Sequence, residues 1–242
     1  VDIAEVSEED TVLEIGPGLG SLTRHLAARA KKVIAVEIDS WIIPALESSL
    51  AGYANAEIIN KDVLQIAPSE IISAPEYLVV ANIPYYITSA IIRHLLENKP
   101  RAHRLVLTIQ KEVAERICTP EGKKMSLLAL SIQVYGKPEI VAKIPAGAFY
   151  PPPKVDSAVI RISLYDEPRI PTVLLDDFFR LAKAGFSQKR KNLRNALSTG
   201  LRLEKGQCES LLHNAGIDPR RRAETLDLKE WGELTEYWRK KK

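Results

Sequence analysis

The segment from Thr11 to Gly20 places a short apolar run directly before three closely spaced glycines, and an amphipathic stretch follows. Lys32 to Val36 is a second apolar run, so a strand, a glycine-rich turn, a helix and a strand succeed one another. Glycines at such a turn let the backbone approach a ligand closely, beside the unpaired amides of a helix N-terminus. The pattern predicts a βαβ unit with a ligand site at its first turn.

The alternation of strands and helices continues along the chain. Further strands are predicted at Glu57–Asn60, Tyr77–Ala81 and Arg104–Ile109, and helices at Ser40–Leu50, Thr88–Glu97 and Lys111–Ile117. Such alternation is typical of a doubly wound, Rossmann-like α/β sheet. The last two strands, Glu139–Ile144 and Val155–Ser163, have no helix between them and are predicted to form an antiparallel hairpin at its edge.

The composition changes around Asp166 to Pro171, where strand signals stop and helical patterns follow. We therefore predict an α/β domain over residues 1–165 and a small all-helical domain over residues 166–242. The first range holds 17 Lys and Arg against 19 Asp and Glu, and the second holds 17 against 12. A basic helical domain suits a polyanionic partner, although a solvated helical surface gives the same bias.

Several protein classes are excluded by composition. Hydrophobic residues make up 45% of the chain, too many for a disordered tail, and two cysteines are too few for a disulfide scaffold. No apolar run reaches the length of a membrane span, which predicts a soluble, cytoplasmic protein. The four histidines have no partners at metal-ligand spacing, so no metal site is predicted.

An acidic residue stands at or directly after each of the first three strands: Glu14, Glu37 and Asp62. Glu37 follows Gly16 by 21 residues, where an acid can hold both hydroxyls of a ribose. Asp62 is placed to meet an adenine amino group. The glycine loop has no spacing suited to a pyrophosphate, and Pro17 removes a backbone donor. The set therefore suits a cationic, phosphate-free ligand, S-adenosylmethionine, better than a dinucleotide.

The fourth strand is followed by Asn82-Ile83-Pro84-Tyr85. The exocyclic amine of a purine is a poor nucleophile, because its lone pair is delocalised into the ring. Acceptors on its hydrogens, the Asn82 oxygen and a backbone carbonyl of the rigid turn, would favour a tetrahedral nitrogen. Tyr85 would stack on a base rotated out of its helix. The alternative is an ordinary proline turn with a buried tyrosine.

A second aromatic feature precedes the last strand, in a segment running from Phe149 through three prolines to Ser157. Prolines stiffen the loop, so Phe149 could form the opposite wall of a base-binding site. Alternatively, Phe149 fills the core and the prolines form a linker.

Taken together, these residues resemble the ribosomal RNA adenine N6-dimethyltransferases, and within them the bacterial enzymes that act on 16S rRNA. The resemblance covers nearly the whole chain. It rests on these segments: Glu14–Gly20, Glu37–Asp39, Asp62, Asn82–Tyr85, Gln110–Ala114, Phe149–Ser157, Phe186–Lys191 and Leu193–Asn195.

The resemblance implies a site and partners. The cofactor S-adenosylmethionine would be bound by Gly16, Gly18, Glu37, Ile38, Asp62, Val63 and Asn82. The reaction would be carried by Asn82, Pro84, Tyr85 and Phe149. The implied activity is dimethylation of N6 on two adjacent adenosines in the 3′-terminal stem-loop of 16S rRNA, within the immature 30S subunit and by a monomer.

Two other functions stay open. A 23S rRNA dimethyltransferase of the macrolide-resistance type shares the pocket motifs, although Gln110-Lys111-Glu112 and Phe186–Lys191 favour the 16S type. The second alternative is a non-catalytic RNA-binding assembly factor, which would share the fold but not the reaction. The family also carries an N-terminal segment with a Gly-Gln-x-Phe-Leu-like motif that this sequence lacks, so a truncated and impaired form is expected.

Basic clusters in the last third of the sequence would provide salt-sensitive, sequence-independent affinity for RNA. The predicted RNA-binding residues are Lys189, Arg190, Lys191, Arg194, Arg220, Arg221 and Arg222. Trp231 and Trp238, seven positions apart, are predicted to lie in the core.

Overall fold

The computed structural model describes residues 1–241, which form two compact units. The N-terminal unit comprises Val1–Glu115 and Lys137–Leu164. The helical unit comprises Arg116–Gly136 and the chain from Tyr165 onward. The second unit is therefore assembled from two separate segments of the sequence.

A seven-stranded sheet organises the N-terminal unit, in the order β3-β2-β1-β4-β5-β7-β6. Its strands are β1 (Thr11–Ile15), β2 (Lys32–Glu37), β3 (Ala56–Asn60), β4 (Leu78–Asn82), β5 (Arg104–Gln110), β6 (Gly136–Ile144) and β7 (Ser157–Leu164). The helices within the first 117 residues are α1 (Ser21–Ala27), α2 (Ile43–Leu50), α3 (Pro68–Ile71), α4 (Thr88–Glu97) and α5 (Lys111–Ile117).

The central strands are parallel and apolar because both faces of such a sheet are covered. Every residue of β1 is buried, and β1 pairs in parallel with β2 and β4. The strand order reverses between β1 and β4, which makes their carboxyl ends the topological switch point, the place where ligands bind in open α/β sheets. We call this side of the sheet the carboxyl edge.

The seventh strand brings a loop to the same edge. β7 runs antiparallel to β5, with Ser157 opposite Gln110 and Ser163 opposite Arg104. The start of β7 therefore lies at the carboxyl end of β5. As a result, the proline-rich loop before β7 reaches the carboxyl edge, although it is distant in sequence from the glycine loop.

The described residues of the helical unit form the helices α6 (Leu127–Gln133), α7 (Leu175–Phe186), α8 (Leu193–Leu201), α9 (Lys205–Asn214) and α10 (Leu228–Lys240). Small residues allow α7 and α8 to approach closely, since a Cβ atom on Gly200 would lie 2.6 Å from the Cβ of Ala184. The indole ring of Trp231 is fully buried and stacks on Phe186 with 5.8 Å between ring centroids. The core position predicted for Trp231 is thus observed, whereas Trp238 is only half-buried.

The observed elements differ from the predicted ones mainly in one segment. Residues 116–136 contain α6 and group with the C-terminal helices, so the second unit begins well before the predicted boundary at residue 166. With the observed bounds, the N-terminal unit holds 14 Lys and Arg against 18 Asp and Glu, and the helical unit 20 against 13. The charge separation is therefore larger than the predicted domains indicated.

Candidate functional site

The glycine loop and the proline turn lie side by side at the switch point. Gly16 has a φ of +69°, and its N–H donates to the carbonyl of Val36 at 3.0 Å. A Cβ atom at Gly16 would lie 3.9 Å from Cδ of Pro84. The left-handed backbone favours glycine here. The loops after β1 and β4 therefore border one space.

The carboxylate of Glu37 connects two of these loops. Glu37 is buried, with 6% of its surface exposed. Its Oε2 accepts a hydrogen bond from the Gly18 N–H at 3.2 Å, and its Oε1 accepts one from the Asp39 N–H at 2.9 Å. Each carboxylate oxygen has a second lone pair. Glu37 can therefore accept further hydrogen bonds from a pair of hydroxyl groups.

The carboxylate of Asp62, in the loop after β3, also accepts two hydrogen bonds. Its Oδ1 accepts from the Leu64 N–H at 2.9 Å, which caps a short 3-10 turn, and Oδ2 accepts from Gln65 Nε2 at 3.1 Å. Gln65 was not predicted from the sequence, which gives no signal for a glutamine three residues beyond the acid. Of the neighbouring predicted residues, Val63 is buried and Ile38 is exposed. Ile38 thus presents an apolar side chain next to Glu37.

Glu14, in the strand before the glycine loop, carries a buried carboxyl group. It is 1% exposed, and its Oε2 is buried without a hydrogen-bond partner among the described residues. Burial, together with the nearby charge of Glu37, raises the pKa of Glu14 to about 7, and the hydroxyl of Thr23 opposes the shift. A buried carboxyl with an unused oxygen beside a glycine loop favours a cationic ligand over a phosphate.

The predicted reaction residues surround one cavity. Asn82, Pro84, Tyr85 and Phe149 all line a cavity of about 310 Å³, which we call the Asn82 cavity. Asn82 ends β4 with its side chain exposed, and Phe149 reaches the cavity from the proline-rich loop. Two aromatic rings and an amide on one cavity suit a planar, hydrogen-bonding group such as a nucleobase.

Ser157 contacts a residue of this site, and this role was not predicted from the sequence. The hydroxyl of Tyr85 lies 2.5 Å from Oγ of Ser157, the first residue of β7, which is completely buried. This contact links the proline turn after β4 to the strand that follows the proline-rich loop. The sequence feature that could have indicated this role is a small polar residue at the start of a buried strand.

The basic residues of the helical unit fall into two groups in the sequence that meet in the structure. The N–H of Leu193 donates to the carbonyl of Arg221 at 2.7 Å, and the N–H of Arg194 donates to that of Pro219 at 3.2 Å. These bonds place the start of α8 beside the segment 219–221. Lys189, Arg190 and Lys191 precede α8 rather than beginning it, because Asn192 caps the helix.

The cations of this region differ in their availability. Lys189, Arg190 and Lys191 are exposed and have no ion pair within residues 1–241. The other four are paired: Arg194 with Glu209, Arg220 with Asp218, Arg221 with Glu230 and Arg222 with Glu224. Burial alone would raise the pKa of Glu230, but the hydrogen bond from Arg221 lowers it overall. Arg221 thus has a partner at the start of α10, and its contact with RNA stays a prediction.

Residues 1–241 contain no group of three or more His, Cys, Asp or Glu side chains arranged to hold a metal ion. None of the described helices combines the length and apolar character needed to cross a membrane. Neither Cys118 nor Cys208 forms a disulfide.

Comparison with known proteins decides the family. Residues 1–240 match the family described as ribosomal RNA adenine dimethylase. The chain belongs to this family. A relative of this dimethylase from Dehalococcoides mccartyi (strain CBDB1), named ribosomal RNA small subunit methyltransferase A, is 49% identical over 232 residues, covering 96% of this chain and 79% of the relative. A protein of the same name from Alkaliphilus oremlandii is 44% identical, covering 100% of this chain and 86% of that one.

Two solved structures share the fold of the dimethylase. A dimethyladenosine transferase from Plasmodium falciparum superposes with a TM-score of 0.80 at 29% identity, covering 98% of this chain and 93% of that chain. The 23S rRNA methyltransferase ErmE superposes with a TM-score of 0.73 at 32% identity, with the same coverage. The predicted Rossmann-like methyltransferase fold with helical C-terminal elements is confirmed.

Proposed function

We propose that this dimethylase methylates N6 of two adjacent adenosines in the 3′-terminal stem-loop of 16S rRNA, twice on each, with S-adenosylmethionine as the methyl donor. It would act as a monomer on the immature 30S subunit. The observation that carries the proposal is that Asn82, Tyr85 and Phe149 all line the same cavity. It supplies the acceptor and the ring surfaces that an extruded adenine requires.

The glycine loop and its acidic neighbours support the choice of cofactor. S-adenosylmethionine would supply an electrophilic methyl group on a sulfonium. Glu37 has free acceptor capacity for the ribose hydroxyls, and Asp62 has it for the adenine amino group. Glu14 places a carboxyl group with an unpartnered oxygen at the base of the loop, which suits the cationic part of the cofactor. Gly16, Gly18, Ile38 and Val63 complete the proposed surface.

The residues of the Asn82 cavity would activate the adenine by position rather than by basicity. The Asn82 oxygen and a backbone carbonyl of the turn accept the two N–H groups of the amine, which turns the lone pair toward the methyl group. The amine would gain a methyl group from bound S-adenosylmethionine, whose sulfur would keep the bonding electron pair, and would lose one proton to water at each transfer. Tyr85 and Phe149 hold the base between them, and Pro84 fixes the turn.

Similarity favours small-subunit RNA over 23S RNA as the substrate. The relatives named ribosomal RNA small subunit methyltransferase A reach 49% identity, whereas the 23S methyltransferase ErmE is 32% identical. The helical unit, with 20 basic against 13 acidic residues, would bind the folded RNA through its phosphates. Lys189, Arg190 and Lys191 are the candidates whose charges are free for this contact.

The test is transfer of labelled methyl groups to immature 30S particles and, separately, to 23S rRNA fragments. We expect transfer to the 30S particles, and a loss of at least about 100-fold in kcat for Asn82→Ala. Asn214→Ala, an exposed position at the end of α9, is the matched control and should keep full activity. Unchanged transfer by Asn82→Ala would exclude the proposed amine acceptor. Transfer to 23S fragments alone would favour the macrolide-resistance type, and RNA binding without transfer would favour an assembly factor.

A further inference from the structure

Exposed large apolar side chains of the N-terminal unit are concentrated at the carboxyl edge. Among the described residues of this unit, seven such side chains are exposed, and all but Ile3 lie in the loops of this edge. They are Leu19, Ile38, Trp41, Tyr86, Tyr150 and Val155. Scattered exposed apolar residues need no explanation, but a concentration around one site marks a binding surface.

Tyr150 is the member of this group that lines the Asn82 cavity. It is 100% exposed and shares the cavity with Asn82 and Phe149. Its neighbour Phe149 has an extended backbone, with φ of −106° and ψ of 153°. Successive side chains of an extended backbone point to opposite sides. Phe149, which is half-buried, and Tyr150 therefore present two rings in different directions from one short segment.

The loop that carries both rings is held at its far end. The Asp156 carboxylate accepts a hydrogen bond from the Ala146 N–H at 3.1 Å, and the Asp156 carbonyl accepts one from the Lys111 N–H at 3.0 Å. Pro151, Pro152 and Pro153 restrict the backbone between Tyr150 and this anchor. An aromatic ring on a restricted loop loses little entropy when it binds a partner.

We propose that Tyr150 is the stacking platform for the nucleotide next to the target adenosine. This inference rests on the proposed function and adds a specificity residue to it. A base held in the Asn82 cavity is covalently joined to its neighbour, which must pass the rim where Tyr150 stands. Tyr150 carries no charge to bind a phosphate, and its ring suits the face of a base. The enzyme then binds two consecutive nucleotides at once, one reacting and one stacked.

The experiment combines protein variants with an abasic RNA. The substrates are a stem-loop RNA with two adjacent adenosines and copies in which the nucleotide on either side of the target lacks its base. The proteins are the unsubstituted chain, Tyr150→Ala, Tyr150→Phe and Tyr86→Ala. Tyr86 is the matched control, since it is 87% exposed at the same edge but is not among the residues lining the cavity.

We expect Tyr150→Ala to raise the KM for the intact RNA by about 5- to 100-fold, the range for losing one stacked base, with a smaller change in kcat. Tyr150→Phe should stay within about twofold, because the ring is kept. For the unsubstituted chain, one of the two abasic RNAs should have a KM raised by a similar factor. For Tyr150→Ala, the KM should be the same for this abasic RNA as for the intact RNA. Tyr86→Ala should respond to the abasic RNA as the unsubstituted chain does.

The inference is overturned if Tyr150→Ala raises the KM by the same factor for the abasic RNAs as for the intact RNA. It is also overturned if Tyr86→Ala, rather than Tyr150→Ala, abolishes the difference in KM between intact and abasic RNA. If the unsubstituted chain transfers no methyl group to immature 30S particles, the proposed function fails. Binding of the same RNAs to the same variants, measured by fluorescence anisotropy, then still decides the Tyr150 contact.

Discussion

The hydroxyl of Tyr85 and Oγ of Ser157 lie 2.5 Å apart, joining a turn after β4 to the first residue of β7. The two residues are 72 positions apart in the sequence. The ring of Tyr85 is thus fixed at its far end by a completely buried side chain. The orientation of one wall of the Asn82 cavity therefore depends on the edge strand of the sheet as well as on the turn.

Removing this hydrogen bond should affect the reaction more than RNA binding. Tyr85→Phe leaves the Ser157 hydroxyl buried and unpaired, and we expect kcat to fall several-fold with little change in KM. A double-mutant cycle with Ser157→Ala should give a coupling of about 1 kcal/mol. Tyr77→Phe is the control, since Tyr77 directly precedes β4, at the end of the strand opposite to Asn82, and its hydroxyl donates to the Pro100 carbonyl at 2.9 Å. It should lower stability without changing kcat, and additive effects of Tyr85→Phe and Ser157→Ala would contradict the coupling.

The raised pKa of Glu14 predicts a pH-dependent stability. Between its ordinary value of 4.5 and the folded value of about 7, the native state binds more protons than the unfolded state. The contribution of Glu14 therefore lowers the free energy of unfolding as the pH rises from 4.5 to 7, by at most about 3 kcal/mol. Glu14→Gln should remove this loss, so that the variant gains stability relative to the unsubstituted chain at pH 8 but not at pH 5.

Urea unfolding at the two pH values measures this difference. Glu47→Gln, at an exposed position of α2, is the control and should shift stability equally at both values. The same stability difference for Glu14→Gln at pH 5 and pH 8 would show that Glu14 does not titrate between them.

Two glycine substitutions in the helical unit should have opposite effects. A Cβ at Gly200 would lie 2.6 Å from Cβ and 2.7 Å from Cα of Ala184, so Gly200→Ala must push α8 away from α7 and should cost about 1–3 kcal/mol. A Cβ at Gly206, in α9, meets no atom within 4 Å. Gly206→Ala should therefore stabilise the chain by about 0.5–1 kcal/mol, because alanine loses less entropy in a helix. Thermal unfolding of both variants tests the pair, and equal signs would contradict the packing of α7 on α8.

The free and paired cations of the helical unit should separate RNA affinity from stability. Replacing Lys189, Arg190 and Lys191 with alanine should weaken RNA binding and lower the slope of log affinity against log salt by about 2, without changing the unfolding midpoint. Arg221→Ala should keep the slope but cost about 1–2 kcal/mol of stability, since it removes the partner of Glu230 at the start of α10. A reduced slope for Arg221→Ala would instead show that Arg221 contacts RNA.

The parts of the fold that follow local rules could be predicted from the sequence. The bounds of α4 and α5 agree with the predicted ones, because apolar periodicity and turn residues mark both ends. The placement of residues 116–136 in the second unit could not be predicted. The single short helix α6 in this segment gives no sign of which core it joins.

The site shows the same division between local and long-range information. Asn82, Glu37 and Asp62 could be predicted as site residues because each stands at the end of a strand or shortly after it. The partners that hold the site, Ser157 for Tyr85 and Gln65 for Asp62, were missed because their roles depend on contacts made in three dimensions. The seven basic residues looked alike in the sequence, and only their ion pairs separate three free cations from four engaged ones.

The division of the helical unit into two chain segments limits how the protein can be dissected. The chain crosses between the units at three points, after Glu115, Gly136 and Leu164. A fragment beginning at Tyr165 would lack α6, whose Leu130 and Ile132 are buried, and would expose the surface of α7 that α6 covers. Limited proteolysis at any one crossing would leave the two pieces held together by packing. RNA affinity of the helical unit is therefore best measured on the whole chain, or on a fragment that rejoins residues 116–136 to residue 165 by a linker.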